Sequence, residues 1–149
     1  VVVNVGTVDH YEYRAVGDLV NSANRIQIAN KHFRTRILLS TDVIEGLDLF
    51  LTRPLGKVLL HGKSNPISLA ELIAFKEKAT DDQIWLCEVF TKVIRAYEAQ
   101  NWVQAQHVLL EILEKFPNDG PSRFFLNRCE DYLTTPPPAW DATTYLPGK

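Results

Sequence analysis

An α+β fold is what this sequence predicts, and three observations predict it. Residues 1–77 alternate short β-branched and aromatic runs with one stretch of helical period, and beyond residue 78 the apolar period is helical. The 149 residues are 46% hydrophobic, enough to build a core, which excludes disorder as the dominant state. Charge narrows the function classes. Lys and Arg number 16 against 18 Asp and Glu, so the chain lacks the positive surplus that tracks a nucleic-acid backbone or an anionic membrane. No apolar run approaches the roughly eighteen residues that span a bilayer, and Val1-Val2-Val3-Asn4 lacks the basic flank of a signal peptide. The expectation is a soluble, cytoplasmic chain with no nucleic-acid partner and no direct membrane contact. Zero methionine and an opening that reads as mid-strand predict a piece of a longer chain, with sequence upstream.

The elements follow in order. Val1 to Val8 and Tyr11 to Val16, broken at Asp9-His10, have the composition of a hairpin. Asp18 can cap a helix whose apolar side, Leu19, Val20, Ala23, Ile26 and Ile28, runs to about Asn30. Thr35 to Ser40 is a short strand, and Ser40-Thr41-Asp42 can cap a short helix ending near Leu47. Leu49 to Pro54 extends again. From Gly56 to Phe75 two apolar stretches, Lys57 to Leu60 and Ile67 to Phe75, flank His61-Gly62-Lys63-Ser64-Asn65-Pro66, which has the composition of a hairpin loop.

A polar interruption from Glu77 to Asp82 marks a boundary near residue 78, giving units 1–77 and 78–149. Three helices are predicted in the second, over about 82–99, 102–116 and 122–133. Phe90, Val93, Ile94 and Tyr97 share a face of the first, and Trp102, Ala105, Val108, Leu109, Ile112, Leu113 and Phe116 a face of the next. Pro136-Pro137-Pro138 forces an extended strap, which Trp140 is expected to pin. The first two helices, with Tyr97, Trp102, Ala105 and Pro117, resemble one tetratricopeptide hairpin. One such repeat cannot bury its own apolar face, so the helices are expected to pack on the first half.

Chemistry-bearing residues are few. Cys87 and Cys129 lie far apart without Cys-x-x-Cys spacing and read as buried, reduced thiols. The histidines at 10, 32, 61 and 107 lack metal spacing, and Gly6, Gly17 and Gly56 form no phosphate loop. The basic stretch Lys31 to Arg36 reads as a solvated helix end. Asn21 and Arg25, four residues apart, project from one helix face near its start, placing two donors side by side.

The run Tyr11-Glu12-Tyr13-Arg14-Ala15-Val16-Gly17-Asp18-Leu19-Val20-Asn21-Ser22-Ala23-Asn24-Arg25-Ile26 resembles the signature of class III adenylate and guanylate cyclases. In the family's order there follow a strand like Thr35 to Ser40, the Arg53 to Gly56 turn, and a Gly62-Lys63 hairpin before a Pro66-Ile67 strand ending in Glu71-Leu72. The tail, with Pro136-Pro137-Pro138-Ala139-Trp140-Asp141, looks like the extension of some bacterial receptor-linked adenylate cyclases. The resemblance implies that residues 1–77 are the C-terminal half of a ferredoxin-like cyclase domain, followed by a helical tail. Spacing alone favours a solvated helix face for Asn21 and Arg25, and the ordered resemblance around them reverses that preference.

What the resemblance implies is a phosphorus-oxygen lyase making cyclic AMP and pyrophosphate from ATP, with GTP as the other purine substrate. Asn21 would orient the ribose and Arg25 would stabilise the pentavalent transition state, a role that suits a planar, always charged guanidinium. Gly17 and Asp18, with Arg14, His61 and Lys63, would contact substrate. Two departures bear on this. Arg14 stands where the family chooses its purine, and arginine can only donate. His61 stands where a lysine often holds the terminal phosphates, with Lys63 two residues on. The family's ion-binding aspartates lie upstream of residue 1, so Mg or Mn would be held by ligands outside this chain, and the fragment alone would be inactive. Such cyclases act as head-to-tail dimers, implying a homodimer through the first half. The alternative is a degenerate nucleotide-binding or dimerisation domain whose helical tail recruits a protein partner.

Overall fold

The structure is a computed structural model that describes residues 25–44 and 48–147. The predicted hairpin over 1–16 lies outside the described residues. Residues 25–33 are helical (α1), carrying the helix beyond the expected end at Asn30. Arg34 at φ 57° then closes a left-handed cap in which Thr35 N–H bonds back to the Asn30 carbonyl at 3.1 Å. Strand β1 (Leu38–Ser40) and the single turn α2 (Thr41–Ile44) follow.

Strand β2 (Phe50–Leu59) is one element, where the sequence suggests two strands and a turn. Arg53 to Gly56 sit inside it, paired to Glu71, Ala70 and Leu69 of β3 (Ile67–Phe75). The turn-forming residues make a bulge: the register slips between Pro54 and Gly56, and Gly56 takes φ 79°. The slip moves the inward parity by one residue. Arg53 and Leu55 point into the core before it, Val58 and Leu60 after it. Strand β4 (Thr144–Tyr145) reaches only Val58 and Leu59, so among the described residues β2 has no second neighbour at Pro54, which lacks an N–H to give one.

The sheet order is β1-β3-β2-β4, antiparallel except for the parallel β2–β4 pair, so the fold is α+β with a mixed sheet. A 3-10 turn (Lys76–Lys78) leads to α3 (Asp81–Glu98), α4 (Trp102–Lys115) and α5 (Gly120–Thr134). Each has a side-chain cap. Thr80 and Gln83 form a reciprocal capping box, Asn101 accepts from Gln104 N–H, and Asp119 accepts from Ser122 N–H. These helices match the expected spans to within about two residues, the ordinary uncertainty of helix ends.

One hydrophobic cluster runs through both halves of the chain. Ala29 and Phe33 of α1, Leu55 and Val58 of β2, and Leu69 of β3 join Phe90, Leu109, Ile112 and Phe125 of the helices. The strap is seated by an aromatic box. Trp140 meets Tyr97, Trp102 and Tyr132 edge-on at 4.8–5.5 Å, and its Nε1 donates to the Glu98 carbonyl at 2.8 Å. Trp140 thus pins the strap as its composition suggests, and the segment beyond it returns to the sheet as β4.

Candidate functional site

The site grows from the β2–β3 connection. The Lys63 N–H bonds to the Leu60 carbonyl at 3.0 Å across His61-Gly62, and Gly62 at φ 77° takes the left-handed position of that turn. Ile26, Ala29 and Phe33 face α1 toward the core, which leaves Arg25 on the flank of that face, over the turn. Its Nη1 donates to the His61 carbonyl oxygen. The guanidinium lies so close over Gly62 that a Cβ there would stand 2.8 Å from Nη1 and 3.2 Å from Cζ. The left-handed φ favours glycine at 62, and a larger residue would also displace the Arg25 guanidinium from the turn.

Three of the predicted site residues are thereby brought together: Arg25, His61 and Lys63, from segments 36 or more residues apart in sequence. His61 is exposed, while Arg25 and Lys63 are half-buried. Arg14, Gly17, Asp18 and Asn21 lie outside the described residues. Among the described residues Arg25 has no carboxylate partner at this corner, and its five-donor fork has N–H groups beyond the one given to His61. Such a corner can hold an anion or the charge that grows on phosphoryl oxygens.

A second cationic centre is one that sequence reasoning missed. Arg53, only 2% exposed, donates Nε to Glu71 Oε2 at 3.0 Å, donates Nη2 to the same oxygen, and donates Nη1 to Asp119 Oδ2 at 2.7 Å. Its Cζ lies 4.8 Å from the Phe90 ring centroid. Burial works against the charge on Arg53, yet Asp119 and Glu71 outweigh it and raise its pKa. Burial pushes the Glu71 carboxyl up, with Arg53 pulling the other way. Asp119 Oδ2 also takes Ser122 N–H at 3.2 Å and Ser122 Oγ at 2.5 Å, so one oxygen ties the sheet to the start of α5. The available signal was a charged residue at an inward position of β2 opposite an acid on β3, hidden by reading Arg53 to Gly56 as a turn.

Other groups fall to structural roles. Cys87 and Cys129 are buried and unpaired, and burial pushes their thiols up to about 11 and about 12, far from nucleophilic thiolates. Asp82 pairs with Lys115 at 2.7 Å and His107 lies 3.2 Å from Glu111, both pairs on the surface. Among the described residues no group of three His, Cys, Asp or Glu is placed to hold a metal ion, and no helix is long and apolar enough to cross a membrane.

Comparison with known proteins gives two relatives. The chain is 28% identical over 142 residues to the terminal-differentiation-specific adenylate cyclase of Dictyostelium discoideum, covering 88% of this chain and 6% of that protein. It is 35% identical over 74 residues to adenylate cyclase 1 of Rhizobium meliloti (strain 1021), covering 49% of this chain and 11% of that protein. The chain therefore spans only a small part of either relative's length. The Dictyostelium likeness covers more of the chain than residues 1–77 contain, so it continues into the helical tail. No protein-family model and no solved structure matches the chain.

Proposed function

We propose that this chain is part of a purine nucleotide cyclase that converts ATP to cyclic AMP and pyrophosphate. The observation that carries the reading is the Arg25 guanidinium lying across the β2–β3 turn beside His61 and Lys63. The likeness to two adenylate cyclases supports it. In the reaction the ribose 3′ oxygen bonds to the α-phosphorus while the bond to the pyrophosphate oxygen breaks. Negative charge grows on the phosphoryl oxygens, and a fixed guanidinium at that place stabilises it without reorganising. Asn21 orients the ribose, Gly17 and Asp18 shape the approach, and Arg14 stands at the base-reading position.

On this reading the sheet is the C-terminal half of a class III, ferredoxin-like cyclase domain, and α3–α4 is the tetratricopeptide-like hairpin of a bacterial-type tail. Two copies pair through the cyclase half. Mg or Mn assists when held by ligands from outside this chain, and because the described residues offer no donor set for it, no step here passes through the ion. GTP remains the competing substrate, since Arg14 can only donate to a base.

The test is Arg25→Ala in the complete parent protein. Turnover is expected to fall on the order of 10²-fold or more with little change in nucleotide affinity, as for a group that acts on the transition state. Unchanged turnover would remove Arg25 from the mechanism. A second reading, a degenerate nucleotide-binding or dimerisation domain with an interaction tail, is favoured by one observation. Two large apolar side chains on one face of α4, Val103 and Leu110, are 65% and 49% exposed. Titrating ATP and GTP into the parent dimer while assaying product separates the two: binding without turnover selects the second.

A further inference from the structure

We propose that the cleft between the end of α1 and the start of α5 binds a small phosphate-bearing anion, at a place separate from the Arg25 corner. The cleft holds about 310 Å³, within the range of small-ligand sites. Arg34, from the cap of α1, and Arg123, from the first turns of α5, both line it, so two cationic residues from different elements border one space. The carboxamides of Asn118 and Asn127 add donors, and among the described residues no carboxylate lines the space. Among the described residues neither arginine belongs to an ion pair. This local excess of positive charge stands on a chain whose formal charge is −2, so it is not a general surface property.

The walls are fixed before any ligand arrives. Arg123 Nε donates to the Pro117 carbonyl at 3.1 Å, which orients the fork and leaves its two outer nitrogens for an oxyanion. His32 Nε2 donates to the Pro147 carbonyl at 3.1 Å, a partner that can only accept. Arg34 takes a left-handed φ of 57° where helix caps ordinarily use glycine. The glycine is instead at 120, where α5 presses so close that a Cβ would stand 2.2 Å from the Phe33 carbonyl oxygen and 2.6 Å from the Arg34 Cβ. Phe124, its ring 4.6 Å from that of buried Phe33, makes the floor part of the core.

Two guanidinium forks bordering one cleft, that of Arg123 oriented by its bond to Pro117, suit the several oxygens of a phosphate group better than a single-charge halide. A concave space with two cations suits a soluble small molecule, whereas a membrane or nucleic acid calls for a broad basic face. Arg25 and Arg34 are nine residues apart, about 13 Å along the helix axis, so the cleft and the turn stand at separate places along α1.

The experiment titrates inorganic phosphate, and in a separate arm adenosine monophosphate, into the 149-residue chain at ionic strength held constant with chloride. Backbone amide NMR shifts are the readout. Saturable binding at about 1 mM or tighter in either arm, with shifts centred on 32–34 and 118–127, is expected, and the arms show whether a bare ion or an ester is preferred. Arg123→Gln and Arg34→Asn should each weaken it about tenfold or more, asparagine being chosen because it tolerates the left-handed conformation. Arg25→Ala and the surface change Lys92→Gln should leave it unaltered. Absence of saturation in both arms, shifts centred on 61–63, or equal weakening by Lys92→Gln would overturn the proposal. Arg123 sits in regular helix, so its variant decides the matter if Arg34→Asn fails to fold. Loss of turnover in the Arg25 variant with cleft binding intact would keep the two sites' tests apart.

Discussion

Arg53 and Arg25 both reach the β2–β3 hairpin, and their surroundings could hardly differ more. Arg53 is enclosed on the core side of the sheet by Glu71, Asp119 and the Phe90 ring. Arg25 rests on a backbone carbonyl at the hairpin's turn with no carboxylate partner among the described residues. The contrast shows how one residue type divides its roles. A buried cation whose charge is matched within the protein organises the fold and has nothing left for a ligand, whereas a cation held in place by a neutral partner keeps its charge available. Arg123, whose Nε donates to the Pro117 carbonyl, belongs with Arg25 on this criterion.

The sharpest way to break the comparison is to truncate both arginines and measure unfolding in urea. Arg53→Ala leaves Glu71 and Asp119 as buried acids without their cation, and a loss of about 3–5 kcal/mol is expected. Arg25→Ala should change stability by no more than about 0.5 kcal/mol, as for surface residues away from buried networks. Equal losses would show that Arg25 is structural and weaken its assignment to chemistry. Between these extremes lies Gly120→Ala. Its new Cβ meets backbone, the Phe33 carbonyl, which cannot swing aside as a flexible side chain would. A cost of about 1–3 kcal/mol is expected, together with a change in the amide shifts of residues 32–34, because the contact positions the cleft wall.

How much of this was legible in the sequence depends on how local each feature is. The three tail helices were, because Thr80, Asn101 and Asp119 cap them and Phe90, Leu109 and Phe125 carry their period. Strand β2 was not. Pro54 and Gly56 carry turn chemistry locally, and only pairing to Ala70 and Leu69, sixteen and thirteen residues on, holds them in a bulged strand. Strand β4 was also hidden, since two residues with no alternation give no periodic signal, and their partners Val58 and Leu59 are some 86 residues earlier. The Arg25–His61 contact was within reach only through the family resemblance. Arg34 and Arg123 were read within a solvated helix end and an ordinary helix, and the stretch 31–36 is indeed exposed at Lys31, Arg34 and Arg36. What the periodicity could not show was that Phe33 is fully buried and draws α5 against Arg34.

The smallest expected effect concerns the strap, where an exposed acid offers a contrast with buried Glu71. Asp141 accepts from the Thr143 N–H at 3.0 Å and from the Tyr145 hydroxyl at 2.9 Å, and these bonds, the backbone one foremost, hold its carboxyl below the ordinary range. Glu71 is pushed the other way by burial. The signs of their contributions therefore differ. A depressed carboxyl adds stability that is present above its unfolded-state pKa and is lost as pH falls through the lower folded value, whereas a raised one favours the fold at low pH and ceases to as pH rises through its folded value. Asp141→Asn keeps an oxygen for the Thr143 N–H and removes only the charge. Its stability deficit relative to the parent should be small at neutral pH and vanish as pH drops below the usual aspartate range, while a Glu71→Gln deficit should not follow that course. A deficit for Asp141→Asn that persists undiminished in acid would mean that the shape of this turn, not its charge, seats β4 against Val58 and Leu59.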